Sequence, residues 1–189
     1  MEPERLMEKI AERQIDALKA LYEQYRYLVY AIAQTIVHDK SAAEDIVQET
    51  FVRIYEKAAT YRPGTNLKAW IAAMARNLSY DVLRRQSKMT LMLPEGIADA
   101  APSSETALVQ KMELEEALRQ LGEQERQIVI LYVIGGLKHA EISQVLGMPP
   151  GTVRWKYRQS LRRLAQILGG EDVAERNIAG RTAHFQAEK

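Results

Sequence analysis

Cysteine is absent from this chain of 189 residues, which removes disulfides, cysteine-ligated zinc and a thiol nucleophile from consideration. A reducing cytoplasm accords with that absence, and a cytoplasmic location is the expectation. Histidine is scarce: His38, His139 and His184 are far apart and show no metal-ligand spacing, so neither a metal nor another cofactor is expected. No apolar run approaches the ~18 residues of a membrane span, so stable membrane insertion is not expected. The first residues, MEPERLMEKIAER, are charged throughout and do not read as a secretory signal. There is no glycine-rich phosphate loop, no GxSxG and no HExxH, and no catalytic constellation takes their place. Asp45 and Glu49 lie four apart on a helix surface, but nothing near them suggests a substrate pocket, and a solvated or partner-facing surface is the simpler reading. The chain is therefore not expected to be an enzyme. Net charge is only +1, which excludes a uniformly basic, histone-like coat.

The charge that is present is segregated. Residues 1–25 hold six acids against four bases, whereas residues 62–90 hold six bases against Asp81 alone. Between Ile142 and Gly170 there is no Asp or Glu. That acid-free stretch covers most of KHAEISQVLGMPPGTVRWKYRQSLRR (138–163), which reads as two short helices around a tight turn. The first spans about His139 to Leu146 and sends Ala140, Ile142, Val145 and Leu146 toward a core. Gly147 stops it, as a left-handed cap position favours glycine. Met148, Pro149 and Pro150 make a stiff turn, and Thr152 is expected to cap the next helix. That helix carries Arg154, Lys156, Arg158, Arg162 and Arg163. A helix-turn-helix lays its second helix in the DNA major groove with its first turns facing base edges.

Elsewhere the periodicity is that of helices, and no strand pattern is convincing. After a short charged helix over 3–13, Leu18, Leu21, Tyr25, Leu28, Ile32 and Ile36 recur by threes and fours. Ser41 with Glu44 has capping-box spacing and is expected to start a helix that buries Ile46, Val47, Phe51, Ile54 and Tyr55. YRPGTN at 61–66 breaks the pattern. A third main helix is expected from about Leu67 to Arg85, with Trp70, Ile71, Met74, Leu78 and Val82 at helical spacing. The expected class is all-α: two small helical domains, 1–86 and 105–168, joined by a flexible linker at 87–104, the second domain a helix-turn-helix. Within the linker, Met89, Leu91, Met92 and Leu93 either lie along another surface or pack on the first domain. The second domain is expected to have helices at 105–120 and 124–134 ahead of the motif, with Gly135 and Gly136 as a stop. The tail at 169–189 is expected to be disordered.

AEDIVQETFVRIYEK and NLKAWIAAMARNLSYDVLRR in the first half, followed by the basic helix-turn-helix, resemble the sigma-70 family of bacterial RNA polymerase. They are most similar to its compact extracytoplasmic-function group. The resemblance covers roughly 14–86 and 108–166, with two independent motifs in the family's order. It implies a promoter-specificity subunit whose partners are core RNA polymerase, promoter DNA and an anti-sigma factor. By resemblance, Asp45, Gln48, Glu49 and Arg53 would touch the clamp coiled coil of the largest polymerase subunit, while Phe51 and Ile54 face the core. YRPGTN looks like the loop that holds a flipped base of the minus-ten element, and the helix after it would hold the non-template strand. Tyr61, Arg62, Asn66, Lys68, Trp70, Arg76, Asn77, Tyr80 and Arg84 would supply that surface: bases that track phosphate, with aromatic and polar groups that receive unstacked bases. Trp70 reads equally well as a buried anchor. GTVRWKYRQSLRRL resembles the helix that reads the minus-thirty-five element, with Thr152, Arg154, Trp155, Lys156, Arg158, Gln159 and Arg162 as contacts. Trp155 departs from the family, where a small serine is common. It can pack on sugar–phosphate, read a thymine methyl or stiffen the domain.

A second reading competes with this one: a helix-turn-helix regulator that never joins polymerase. The first half separates them, because a regulator would carry a ligand pocket or phosphoacceptor there, and none is apparent.

Overall fold

The computed structural model describes residues 3–90, 114 and 116–168, and every regular element among them is helical. In chain order these are α1 (Pro3–Ala11), α2 (Ile15–Val37), α3 (Lys40–Lys57), a single 3-10 turn at Ala58–Thr60, α4 (Leu67–Thr90), α5 (Glu123–Val133), α6 (His139–Leu146) and α7 (Pro150–Ile167). Residues 116–119 are also helical, ahead of α5. The expectations for the tail at 169–189 and for most of the linker and of 105–120 lie outside the described residues. The linker's start does not: α4 continues to Thr90, past the expected boundary at 86.

The first three long helices form the N-terminal domain. α2 sends Leu21, Tyr25, Leu28, Ile32 and Ile36 inward, and Phe51 and Ile54 of α3 meet them together with Ile71 and Ala75 of α4. Tyr22 packs edge-on against Phe51 with ring centroids 4.9 Å apart. The short α1 buries Leu6, Met7 and Ile10 in the same core. Between α2 and α3 the chain turns in two residues. His38 adopts a left-handed φ of 57° and closes α2 by donating its backbone N–H to Gln34. Asp39, not Ser41, is the cap of α3, its Oδ1 accepting from the N–H of Ala42 at 2.6 Å. The tight turn leaves Asp39 as the last extended residue, so Ser41 is already inside the first helical turn and cannot cap it.

The helix-turn-helix has the expected first helix and stop. Gly147 takes φ 65° and its N–H returns to Ser143. Ser143 then donates its hydroxyl to Met148 O at 2.6 Å, which ties the turn to the helix it follows. Thr152 is not the cap of α7. The helix begins at Pro150, with Pro149 in the cap position and no side-chain cap bond. Proline suits the first helical position because its ring fixes a helical φ and its missing N–H would have had no partner there. Thr152 therefore falls within the helix.

The two domains are packed on each other. Leu28, Ile32 and Ala72 from the first share one continuous apolar core with Ile128, Leu131, Leu137, Ile142, Val145 and Val153 from the second. At the seam a Cβ on Gly135 would stand 3.1 Å from the Leu28 side chain of the first domain, and 2.5 Å from Leu131 O of its own. Only glycine is accommodated at that position without a shift. A smaller satellite core of Ala117, Leu121, Val129 and Leu164 holds α7 to α5.

Candidate nucleic-acid interface

Three surfaces carry the residues singled out in the sequence. On α3, Asp45, Gln48 and Glu49 are exposed along one stripe, and Arg53 is half-buried with its Nε donating to Glu49 Oε1 at 2.8 Å. Phe51 and Ile54 are buried beneath them. Val52 was not singled out, yet it is 49% exposed and continues the 45–48–49 stripe at helical spacing. An apolar side chain left open among polar ones was detectable only by completing that stripe in the sequence.

The second surface is the loop 61–66 with α4. Arg62 and Asn77 are exposed; Arg76, Asn77, Tyr80 and Arg84 fall on one stripe of the helix. The Arg76 guanidinium lies over the Tyr80 ring at 4.8 Å. Arg84 pairs with Asp81 and donates from Nε to Tyr80 O at 3.3 Å. Lys68 and Trp70 are half-buried. Tyr61 departs from the expectation: it is only 7% exposed, and its hydroxyl donates to Thr65 O at 2.6 Å. Trp70 meets it edge-on at 5.5 Å. The pair thus braces the loop from inside, because an extended residue following the 3-10 turn points its ring back at α4. Gly64 takes φ 82° at the loop's tip, the left-handed conformation that glycine tolerates.

Several residues of this surface are already in use. Asn66 caps α4, its Oδ1 accepting from Ala69 N–H, while its Nδ2 donates to Glu141 Oε1 at 2.6 Å. Arg76 Nε donates to Gln127 Oε1 at 3.2 Å. The Tyr80 hydroxyl donates to Glu123 and accepts from Gln127 Nε2, the latter at 2.7 Å. Burial, and next the hydrogen bond to the Glu123 carboxylate, push the Tyr80 phenol above its ordinary pKa. Glu123, Gln127 and Glu141 belong to the second domain and were not singled out in the sequence. Glu123 and Glu141 sit in first helical turns, where acids are common for reasons of capping alone.

The third surface is the outer face of α7. Arg154, Trp155, Arg158, Gln159 and Arg162 are exposed together on it; Thr152 and Lys156 are half-buried on its flank. Trp155 is 59% exposed, with the Lys156 ammonium 6.0 Å from its ring centre. It does not stiffen the domain by packing within it. The inner side of α7 is held by Val153 and Leu164 and by Tyr157, whose ring lies 4.4 Å from Tyr132 and 5.3 Å from His139. His139 and Tyr132 stack at 4.9 Å. Burial first, then the charges of Arg154 and Arg158, lower the His139 pKa below its ordinary value.

No group of acids and histidines among the described residues is placed to hold a metal. Nor is any described helix long and apolar enough to cross a membrane. Comparison with known proteins follows the same division of the chain. The family model for Sigma-70 region 2 matches residues 21–89, and that for Sigma-70, region 4 matches residues 111–164. The chain is 28% identical over 170 residues to RNA polymerase sigma factor CarQ of Myxococcus xanthus, covering 86% of this chain and 95% of that one. It is 31% identical over 171 residues to ECF RNA polymerase sigma factor BldN of Streptomyces coelicolor, covering 86% of this chain and 64% of BldN. Among solved structures, it resembles CnrH bound to the cytosolic domain of CnrY, with a TM-score of 0.67, 18% identity, and 89% and 98% of the two chains covered. It also resembles the sigma factor RpoE bound to the anti-sigma factor NepR from Bartonella quintana, with a TM-score of 0.67, 23% identity, and 81% and 97% covered.

Proposed function

The chain belongs to the sigma-70 family, in its extracytoplasmic-function group, and on that footing we propose that its three surfaces divide the work of a promoter-specificity subunit. The α3 stripe of Asp45, Gln48, Glu49 and Arg53, with Val52 added, docks on core RNA polymerase. Loop 61–66 and the 76–84 stripe of α4 receive the non-template minus-ten strand. Of the residues expected there, Arg62, Asn66, Lys68, Arg76, Asn77, Tyr80 and Arg84 can meet DNA, while Tyr61 and Trp70 support the loop. The outer face of α7 reads the minus-thirty-five element. Arginine suits guanine edges and phosphates, and Gln159 suits adenine. Exposed Trp155 offers an indole edge to a thymine methyl or to the sugar–phosphate chain.

The mechanism follows from charge and tethering. Basic side chains draw the protein to DNA through phosphate and make binding sensitive to salt. Recognition of two elements by two linked domains multiplies selectivity through effective concentration. Holding unstacked bases offsets part of the cost of strand opening. Polymerase makes the phosphodiester bonds; this chain only places it, and it acts in the cytoplasm where polymerase is. An anti-sigma partner that holds the domains and covers their working surfaces completes the reading.

The single observation that carries it is the outer face of α7, where four cationic or amide side chains and one indole stand exposed on a helix-turn-helix. A regulator working without polymerase would need only that face. The exposed stripe on α3, in the segment matched by Sigma-70 region 2, favours the polymerase-bound reading. Reconstitution decides it. The purified chain added to core polymerase should give sequence-dependent run-off transcription from genomic fragments that core alone ignores. Failure to bind core, or transcripts independent of sequence, would refute it.

A further inference from the structure

We propose, on the minus-ten reading of loop 61–66, that Arg13 is a positioning residue for promoter opening: its side chain clasps the end of α3 and so sets where the chain departs for that loop. Arg13 stands in a backbone state that its residue type avoids. Past α1, the N–H of Arg13 returns to Ile10 O at 2.9 Å and that of Gln14 to Lys9 O at 3.0 Å. These two bonds close a Schellman cap, whose left-handed position is usually glycine and sometimes asparagine. Here it is arginine, at φ 64°. A Cβ makes that conformation unfavourable. Such strain persists only where the surroundings over-determine it, and it clusters at functional sites. Glycine would make the same turn without the cost, so what arginine adds is its side chain.

That side chain reaches a residue 42 positions further along the chain. Its Nη1 donates to Tyr55 O at 3.1 Å, and its guanidinium lies 4.7 Å from the centre of the Tyr55 ring. Tyr55 is in the last turn of α3, where carbonyls run out of intrahelical donors and the helix dipole favours a cation. The 3-10 turn at Ala58–Thr60 follows directly, and α1 packs on it and on α3. Leu6, Met7 and Ile10 share their core with Ala58 and Tyr61. Tyr61 N–H then returns to Ala58 O at 3.1 Å, and the Tyr61 ring meets Trp70 beneath the loop. The clasp therefore holds the base from which the loop is built. None of the docking side chains on α3 takes part in it. Both α1 and Arg13 precede residues 21–89, the part of the chain matched by Sigma-70 region 2. A loop fixed before DNA arrives has less ordering left to lose when it takes an unstacked base.

The full chain carrying Arg13→Gly separates positioning from plain support, because glycine relieves the backbone while removing the clasp. Its melting temperature should stay within a few degrees of the parent, and its affinity for core polymerase should not change. Amide hydrogen exchange across 58–66 in the free chain should quicken by about 3- to 10-fold, with α2 and the rest of α4 unaltered. At saturating core, promoter opening should slow by a similar factor, about what one charge-assisted hydrogen bond supplies. Arg13→Asn also tolerates the left-handed backbone without glycine's looseness and is too short to reach Tyr55, so it should show the same two changes. Unchanged exchange or unchanged opening with Arg13→Gly would overturn the proposal. So would full recovery by Arg13→Asn, a loss confined to core affinity, or a loss that follows a lowered melting temperature. Asn77→Ala tests the underlying reading separately. Asn77 is exposed on the α4 stripe and outside the clasp, so normal opening by that variant would remove the minus-ten assignment whatever Arg13 does.

Discussion

Arg154 and Arg162 share the outer face of α7, eight residues apart, and the proposed promoter reading gives them different work. At about 1.5 Å per residue they stand ~12 Å apart along the helix axis. Arg154 is in the second turn after Pro150, near the end of a recognition helix that points into the groove, whereas Arg162 is near the far end. Both are exposed, and neither makes a hydrogen bond among the described residues, so truncation to alanine should change folding stability by no more than about 0.5 kcal/mol. If Arg154 reads a base edge, Arg154→Ala should cost about 1–3 kcal/mol at one base pair, roughly a 5- to 150-fold loss in affinity there. Preference at that position should relax while the others keep theirs. Arg162→Ala, losing only a phosphate, should weaken all sequences alike and reduce the slope of log K against log salt by about one. The assay is binding of the reconstituted holoenzyme to matched and singly mutated minus-thirty-five duplexes over a series of salt concentrations. Equal losses on every duplex for Arg154→Ala would refute base reading by that residue and pass it to Trp155, Arg158 or Gln159.

Three further outcomes are expected. Gln48→Lys with Glu49→Lys should lower affinity for core polymerase in a pull-down titration while thermal unfolding stays within a few degrees of the parent, because both side chains are exposed on α3; unchanged affinity would clear them of docking. Gly135→Ala should lower the unfolding free energy read from urea titration by about 1–3 kcal/mol of overpacking strain, since its Cβ would stand 2.5 Å from Leu131 O and 3.1 Å from Leu28; an unshifted urea midpoint would mean these neighbours yield freely. Burial, and next the Arg126 charge, lower the pKa of His38, so the folded chain binds fewer protons there than the unfolded one. Stability from this group is therefore present above its ordinary pKa of 6.5 and is lost as pH falls through the folded pKa below it. His38→Asn, which tolerates the left-handed backbone, should flatten the fall in melting temperature between neutral and mildly acid pH; an equally steep fall would assign it to His139.

The helices were legible because their signals are local. The apolar steps along α2, the loop at 61–66 and the glycine stop at Gly147 each need only neighbours in sequence to act. The exact caps were not, because competing candidates stand side by side. Asp39 and Ser41 can both cap, and only the length of the turn after Val37 decides between them. The α7 face was legible as a cluster of charge, but the exposure of Trp155 was not. An indole next to an apolar helical period reads as core or surface alike until the partner helices are placed. Tyr61 shows the converse error: an aromatic in a loop of basic and polar residues looks like a base-stacking platform, yet its hydroxyl had a nearer acceptor in Thr65.

By itself the sequence determined the all-helical class, the family and the residue types at each candidate surface, since these depend on periodicity and on motifs a few residues long. Tertiary structure alone decided which of those residues are free. The bonds from Asn66 to Glu141 and from Arg76 to Gln127 join positions 75 and 51 residues apart. No local pattern encodes such a pairing, because it depends on the apolar seam at Leu28 and Gly135 bringing α5 and α6 against α4. Glu123 and Glu141 look like ordinary first-turn acids until that seam closes and aims their carboxylates at the donors of the other domain.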